Sequence, residues 1–179
     1  MRAGLVIGFA AGLLLSGCYE TGDTVFPAEG GDAVPLQQGI YRCSSGDPPD
    51  VISLRVTPAE KDGKYTYTVE NEGAAKKDTI VLAFHRIVED RYVGVARREE
   101  QGKIVPGQNI VPFQWDGTAL KTLRVSDERS EELARRHGVE LRGAAYAIGG
   151  PIENQRAFIR EAAVEPSADV VQSCEFLLP

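Results

Sequence analysis

From Gly39 onward the apolar residues recur with a period of two, and that alternation limits the fold more than any other feature of the chain. In Val51–Thr57, Ile52, Leu54 and Val56 share one face, and Ser53, Arg55 and Thr57 share the other. Lys64–Glu70 repeats the pattern with Tyr65, Tyr67 and Val69 inward, after a turn at Asp62-Gly63, so the two segments read as an antiparallel hairpin. Ile40–Ser44 is a shorter strand closed by Gly46-Asp47-Pro48-Pro49. Asp78–Val88 is apolar on both faces, which requires a cover on each side, and Glu89-Asp90 links it to Arg91–Arg97. Ile110–Trp115 alternates again, with Pro112 restricted to an edge or an irregularity because it has no amide to donate. Asp116-Gly117 turns it into Thr118–Val125.

The period then changes. Ser126 reads as a helix N-cap, with Asp127 and Glu128 in the first turn. Glu131/Arg135 and Glu132/Arg136 are spaced as i,i+4 pairs, and Arg135, Arg136 and His137 precede a stop at Gly138. Val139–Ile148 reads as a strand, Pro151 to about Ala163 as a second helix, and Val170–Leu178 as a closing strand. Together these predict an α+β domain: an antiparallel sheet or open β-barrel of about seven to nine strands with two helices late in the chain.

The N-terminus has a different character. Arg2 precedes Ala3–Leu15, an uncharged run of 13 small and apolar residues. That is shorter than the roughly 20 residues needed to span a bilayer, and Leu15-Ser16-Gly17-Cys18 follows it directly. This arrangement resembles a bacterial lipoprotein signal peptide with its lipobox. The resemblance implies a signal peptide over residues 1–17, lipidation of Cys18, and a mature chain that starts there, membrane-anchored and facing the periplasm. Tyr19, where retention in the inner membrane favours aspartate, points to the outer membrane. Tyr19–Gln37 is polar and aperiodic, and reads as a flexible tether. A chain of that length has a root-mean-square span of about 22–26 Å. Residues 18–37 are therefore expected as lipidated N-terminus and tether, and residues 38–179 as one folded domain.

With Cys18 committed to lipid, Cys43 and Cys174 remain, and an oxidising compartment favours a disulfide between them. The formal net charge of −6, or −7 once Arg2 leaves with the leader, opposes a polyanionic partner, so no nucleic acid is expected. No phosphate-binding loop, dinucleotide fingerprint, nucleophile elbow or paired-histidine motif occurs. His85 and His137 are the only histidines of the whole sequence. The adjacent acids Glu89-Asp90, Glu99-Glu100, Asp127-Glu128 and Glu131-Glu132 fall where solvated carboxylates are usual. Neither catalytic residues nor a metal or cofactor is expected, and the oligomeric state is left open.

Tyr41, Tyr92, Phe113 and Trp115 are the candidate contact residues: in a curled sheet they line a calyx for an apolar ligand or fill a core. Asn154-Gln155-Arg156 reads as an exposed polar helix face. Tyr41-Arg42-Cys43, a second cysteine near the C-terminus and Phe113–Leu120 are similar to periplasmic C-type lysozyme inhibitor lipoproteins, which are small disulfide-closed β-barrels. The chain differs from them in length, in its two helices and in lacking their Ser-Gly loop followed by tyrosine, so no inhibitory residue is carried over. The expected function is that of a non-catalytic, membrane-anchored envelope lipoprotein that binds another envelope protein. A carrier or sensor of a small apolar ligand and a lysozyme-inhibitor-like protein are the alternatives.

Overall fold

A computed structural model describes residues 19–34, 36–73, 79–100, 103–104, 107–143 and 146–179. The signal segment and Cys18 lie outside the described residues. In chain order the strands are β1 (Tyr19–Thr21), β2 (Gly39–Ser45), β3 (Asp50–Lys61), β4 (Lys64–Asn71), β5 (Thr79–Val88), β6 (Arg91–Glu100), β7 (Lys103–Ile104), β8 (Gln108–Trp115) and β9 (Ala119–Arg124). Helix α1 (Asp127–His137), β10 (Glu140–Arg142), β11 (Ala147–Gly149), helix α2 (Ile152–Ala163) and β12 (Asp169–Leu178) complete the chain.

Eight of these strands close into an antiparallel barrel in the order β8-β9-β12-β2-β3-β4-β5-β6, with β6 pairing back onto β8 from Arg91↔Gln114 to Ala96↔Asn109. The expected alternation holds, and the sheet is closed rather than open. Closure removes the free edges that an eight-stranded sheet would otherwise expose. Pro112 sits where β8 exchanges one neighbour for another: its pairing with β1 ends at Ile110, and its pairing with β9 begins at Phe113. Val139–Ile148, expected as one strand, instead holds β10 and β11, which pair with each other. Gly143 and Tyr146 between them adopt positive φ, and such a reversal cannot occur within a continuous strand.

Two cores result. Inward residues of alternate parity, among them Leu54, Val56, Tyr67, Val69, Leu82, Phe84 and Phe113, fill the barrel. Phe84 stands edge-on to Tyr67 and Phe113 at 5.3 Å each, and to Tyr92 at 6.5 Å. Gly94 leaves room for this nest, since a Cβ there would lie 2.4 Å from Phe113. The second core lies outside the barrel, where Val93, Val95 and Ile110 meet Leu133 and Ala134 of α1, and Phe158, Ile159, Ala162 and Ala163 of α2. Local signals set α1 as expected: Ser126 Oγ accepts from the Arg129 amide at 3.3 Å, and Gly138 ends the helix in the left-handed region.

Cys43 and Cys174 are bonded, with an S–S distance of 2.08 Å. They stand directly opposite each other in β2 and β12.

Candidate interaction surface

The segment expected as a tether is part of the body. Tyr19, Val25, Phe26, Ala28, Val34 and Leu36 are all buried. The segment has too few apolar residues to show a period, yet each of the large ones is covered, and burying such a side chain contributes about 1.5–3 kcal/mol. Its polar backbone is matched by side chains of the domain. Gln108 accepts from the Val25 amide and donates to the Phe26 carbonyl. Gln155, fully buried rather than exposed, accepts from Thr21 Oγ1 at 2.9 Å and donates to Asp23 at 2.8 Å. Arg156 donates to the Val25 carbonyl, and Arg97 to that of Ala28. Gln155 and Arg156, two of the three residues read as an exposed polar helix face, thus grip the segment Thr21–Val25.

The strap then crosses the barrel wall. Strands β4 and β5 pair from Tyr67↔Leu82 to Glu70↔Thr79. Before Tyr67 and after Leu82 the gap between them is taken by Gly31-Asp32. Gly31 exchanges backbone hydrogen bonds with Tyr65 at 3.0 and 3.1 Å, and the Asp32 amide donates to the Phe84 carbonyl at 2.6 Å. Only glycine fits, because a Cβ on Gly31 would lie 2.0 Å from the Phe84 carbonyl oxygen. Gly31→Ala is therefore expected to cost about 1–3 kcal/mol, as overpacking against an unyielding backbone does. Urea unfolding with hydrogen exchange at Val34 and Leu36 measures it; unchanged stability and protection would refute this threading.

Past the gap, Val34 and Leu36 plug the barrel. Tyr67 Oη accepts from the Val34 amide at 2.9 Å and donates to its carbonyl at 3.0 Å. Tyr41 Oη does the same for Gln37 at 2.9 and 3.1 Å. Burial pushes both phenols above the ordinary tyrosine range. Tyr41, Tyr92 and Phe113, candidates for a calyx, are each 2% exposed and lie in the barrel core, with Trp115 packed half-buried against it. The space left among Leu36, Tyr41, Val56, Tyr67, Phe113 and Thr122 is about 30 Å³. That suffices for a water molecule, whereas small-molecule sites occupy about 300–1,000 Å³.

Several charged groups pair with one another. Glu161 of α2 meets both Arg136 and His137 of α1, which ties the two helices together, and Arg129 of α1 donates at 2.8 Å to Glu165 just past the end of α2. Asp90 accepts from Gln114, Asp127 from Arg124. His85 Nε2 lies 2.7 Å from the Pro27 carbonyl, and its ring faces Phe26 at 5.3 Å. Burial lowers its pKa, so the ring donates to that carbonyl as a neutral group at pH 7. His85 and His137 thus serve the strap and the helix pair respectively. Among the described residues no group of three or more His, Cys, Asp or Glu side chains is placed to hold a metal ion.

Among the described residues, the longest run of exposed large apolar side chains is the end of β12. Phe176, Leu177 and Leu178 are 38%, 53% and 48% exposed. Phe176 pairs with Tyr41 and Leu178 with Ile40 of β2 across an irregularity at Leu177, but pairing with β9 stops at Glu175↔Ala119. Three consecutive apolar residues on a strand with one strand neighbour therefore form a rim, with Phe176 packed edge-on to Tyr41 at 5.4 Å. The sequence signal for this rim was the break in alternation after Cys174, because three adjacent apolar residues cannot all face one core. Comparison with protein families, curated proteins and solved structures finds no match to this chain.

Proposed function

We propose that this chain is a membrane-anchored, non-catalytic envelope lipoprotein, lipidated at Cys18 and facing the periplasm, whose domain binds another envelope protein. The observation that carries the reading is the exposed rim Phe176–Leu178, apolar and without a strand on its β9 side beyond Glu175. Such an edge suits a partner that adds an extended segment with apolar side chains, because backbone hydrogen bonds and side-chain pockets then act together. The lipobox supports the anchor, and Tyr19 in the position after Cys18 supports the outer membrane.

The filled barrel supports a surface partner over a carried ligand, since Val34 and Leu36 occupy the volume that a ligand would need. The lysozyme-inhibitor reading rests on Phe113–Leu120, which is the β8–β9 hairpin. There Asp116 accepts from Lys121, Thr118 and the Ala119 amide, and these bonds hold its carboxyl below the ordinary range. That carboxylate serves its own turn.

A photo-crosslinking residue at position 177, with one at the exposed Lys61 at the end of β3 as control, tests the reading in intact envelopes. One adduct of fixed mass, made only from position 177 and abolished by Leu178→Asp, is expected. Equal adducts from both positions, or none from either, would overturn it.

A further inference from the structure

Tyr19, one residue from the proposed lipid site, is held by the domain from every side. Its ring is 3% exposed and meets Phe158 edge-on at 5.0 Å. Its hydroxyl shares a hydrogen bond with Ser130 Oγ at 3.1 Å, its backbone is in register with Ile110, and the next amide, that of Glu20, donates to the Tyr146 carbonyl at 3.2 Å. Thr21 and Asp23 are held by Gln155. One trans peptide separates Cys18 from this fixed residue, a Cα–Cα distance of about 3.8 Å. The headgroup layer on each side of a bilayer is about 5–8 Å thick. Beyond that step only the Cys18 side chain and the glyceryl linker of its lipid separate the fixed residue from the acyl chains, a reach comparable with the headgroup layer itself, so the chains enter the hydrocarbon only with the domain at the surface of the headgroups.

Resting on the lipid anchor proposed above, we infer that the domain lies directly on the bilayer, with the corner where β9 passes into α1 against the headgroups. Tyr19 locates that corner. The charged groups that bear on its hydroxyl are Arg124 and Asp127, which pair with each other at 3.1 Å. Arg124 is in register with Asp169 at the start of β12, beside Val170, an apolar side chain left 51% exposed. The Arg124–Asp127 pair and one uncovered valine suit a zwitterionic headgroup layer, and the exposed acids Glu128 and Asp169 beside them are repelled by an anionic one. The mature net charge of −7 opposes an anionic one. The orientation has a consequence for the partner: Phe176–Leu178 lie at the other end of β12 from Val170, about 20–26 Å along the strand. The rim is thereby directed away from the lipid.

The test uses the full lipidated chain in phosphatidylcholine vesicles containing nitroxide-labelled headgroups. An environment-sensitive fluorescent residue is placed at position 170, or at Asp62 in the β3–β4 turn at the opposite end of the barrel. Quenching at 170 is expected to exceed that at 62 at least fivefold. A Gly/Ser insert of about 20 residues after Cys18, with a span of roughly 22–27 Å, is expected to abolish the difference. The mass of the mature chain reports the lipid separately. Lipid present with equal quenching, or with quenching unaffected by the insert, overturns the inference and leaves the anchor standing. An unmodified Cys18 overturns the anchor, and the inference with it.

Discussion

Phe84→Ala is expected to lose about 3–5 kcal/mol of folding stability, with a fall in Tm of roughly 10 °C or more. Phe84 is fully buried and touches three other aromatic rings, Tyr67, Tyr92 and Phe113, in edge-on geometry. Each such contact adds about 0.5–1.5 kcal/mol beyond burial alone. The barrel wall cannot collapse into the space because closure fixes the separation of its strands, so truncation leaves a cavity. Phe84 also sits where the strap crosses the wall, its carbonyl accepting from Asp32. Denaturant unfolding of Phe84→Ala beside Phe84→Leu separates cavity formation from any general intolerance of the position. A loss below 1 kcal/mol for alanine would show that the nest is not the centre of the barrel core.

Breaking the Cys43–Cys174 bond is the second large effect. The bond spans 131 positions, and the chain-entropy relation for a loop of that length gives about 5 kcal/mol, against about 2–4 kcal/mol for typical bridges. The bridge joins β2 to β12, the two strands that bring the ends of the barrel sequence together, with Cys43 fully buried. Reduction, or the double change Cys43→Ala and Cys174→Ala, is expected to lower Tm by roughly 10 °C with little change in the native far-ultraviolet spectrum. Equal melting with and without reductant would remove the bridge from the account of stability.

The strap changes how the rest of the molecule is understood. A plug of Val34 and Leu36, fixed by the hydroxyls of Tyr41 and Tyr67, means that the barrel does not fold around an empty centre. The same segment starts at Tyr19 within the outer core, so one stretch of chain joins both cores and the proposed anchor. Gly31 is its most sensitive point, because there the segment passes between two backbones.

The local features were legible in the sequence because their causes are local. Alternation at Ile52, Leu54 and Val56 follows from the pleat of a single strand, and Ser126 and Gly138 cap a helix through bonds made within one turn. The Cys43–Cys174 pairing followed from the expectation that the third cysteine, Cys18, carries lipid and that the chain enters an oxidising compartment. What the tertiary structure alone decided were contacts between residues far apart in the chain. Gln155 and Thr21 meet across 134 positions, and Tyr67 and Val34 across 33. An aperiodic segment such as Tyr19–Leu36 carries no pattern that announces burial, since its partners, Gln108, Gln155, Arg97 and Tyr67, come from four different elements. Closure of the sheet was likewise beyond local reading, because pairing of β6 with β8 depends on the accumulated twist and register of every strand between them. Composition made Tyr19–Leu36 look like a solvated tether; long-range hydrogen bonds and burial made it part of the core, and the proposed anchor therefore meets the domain without slack.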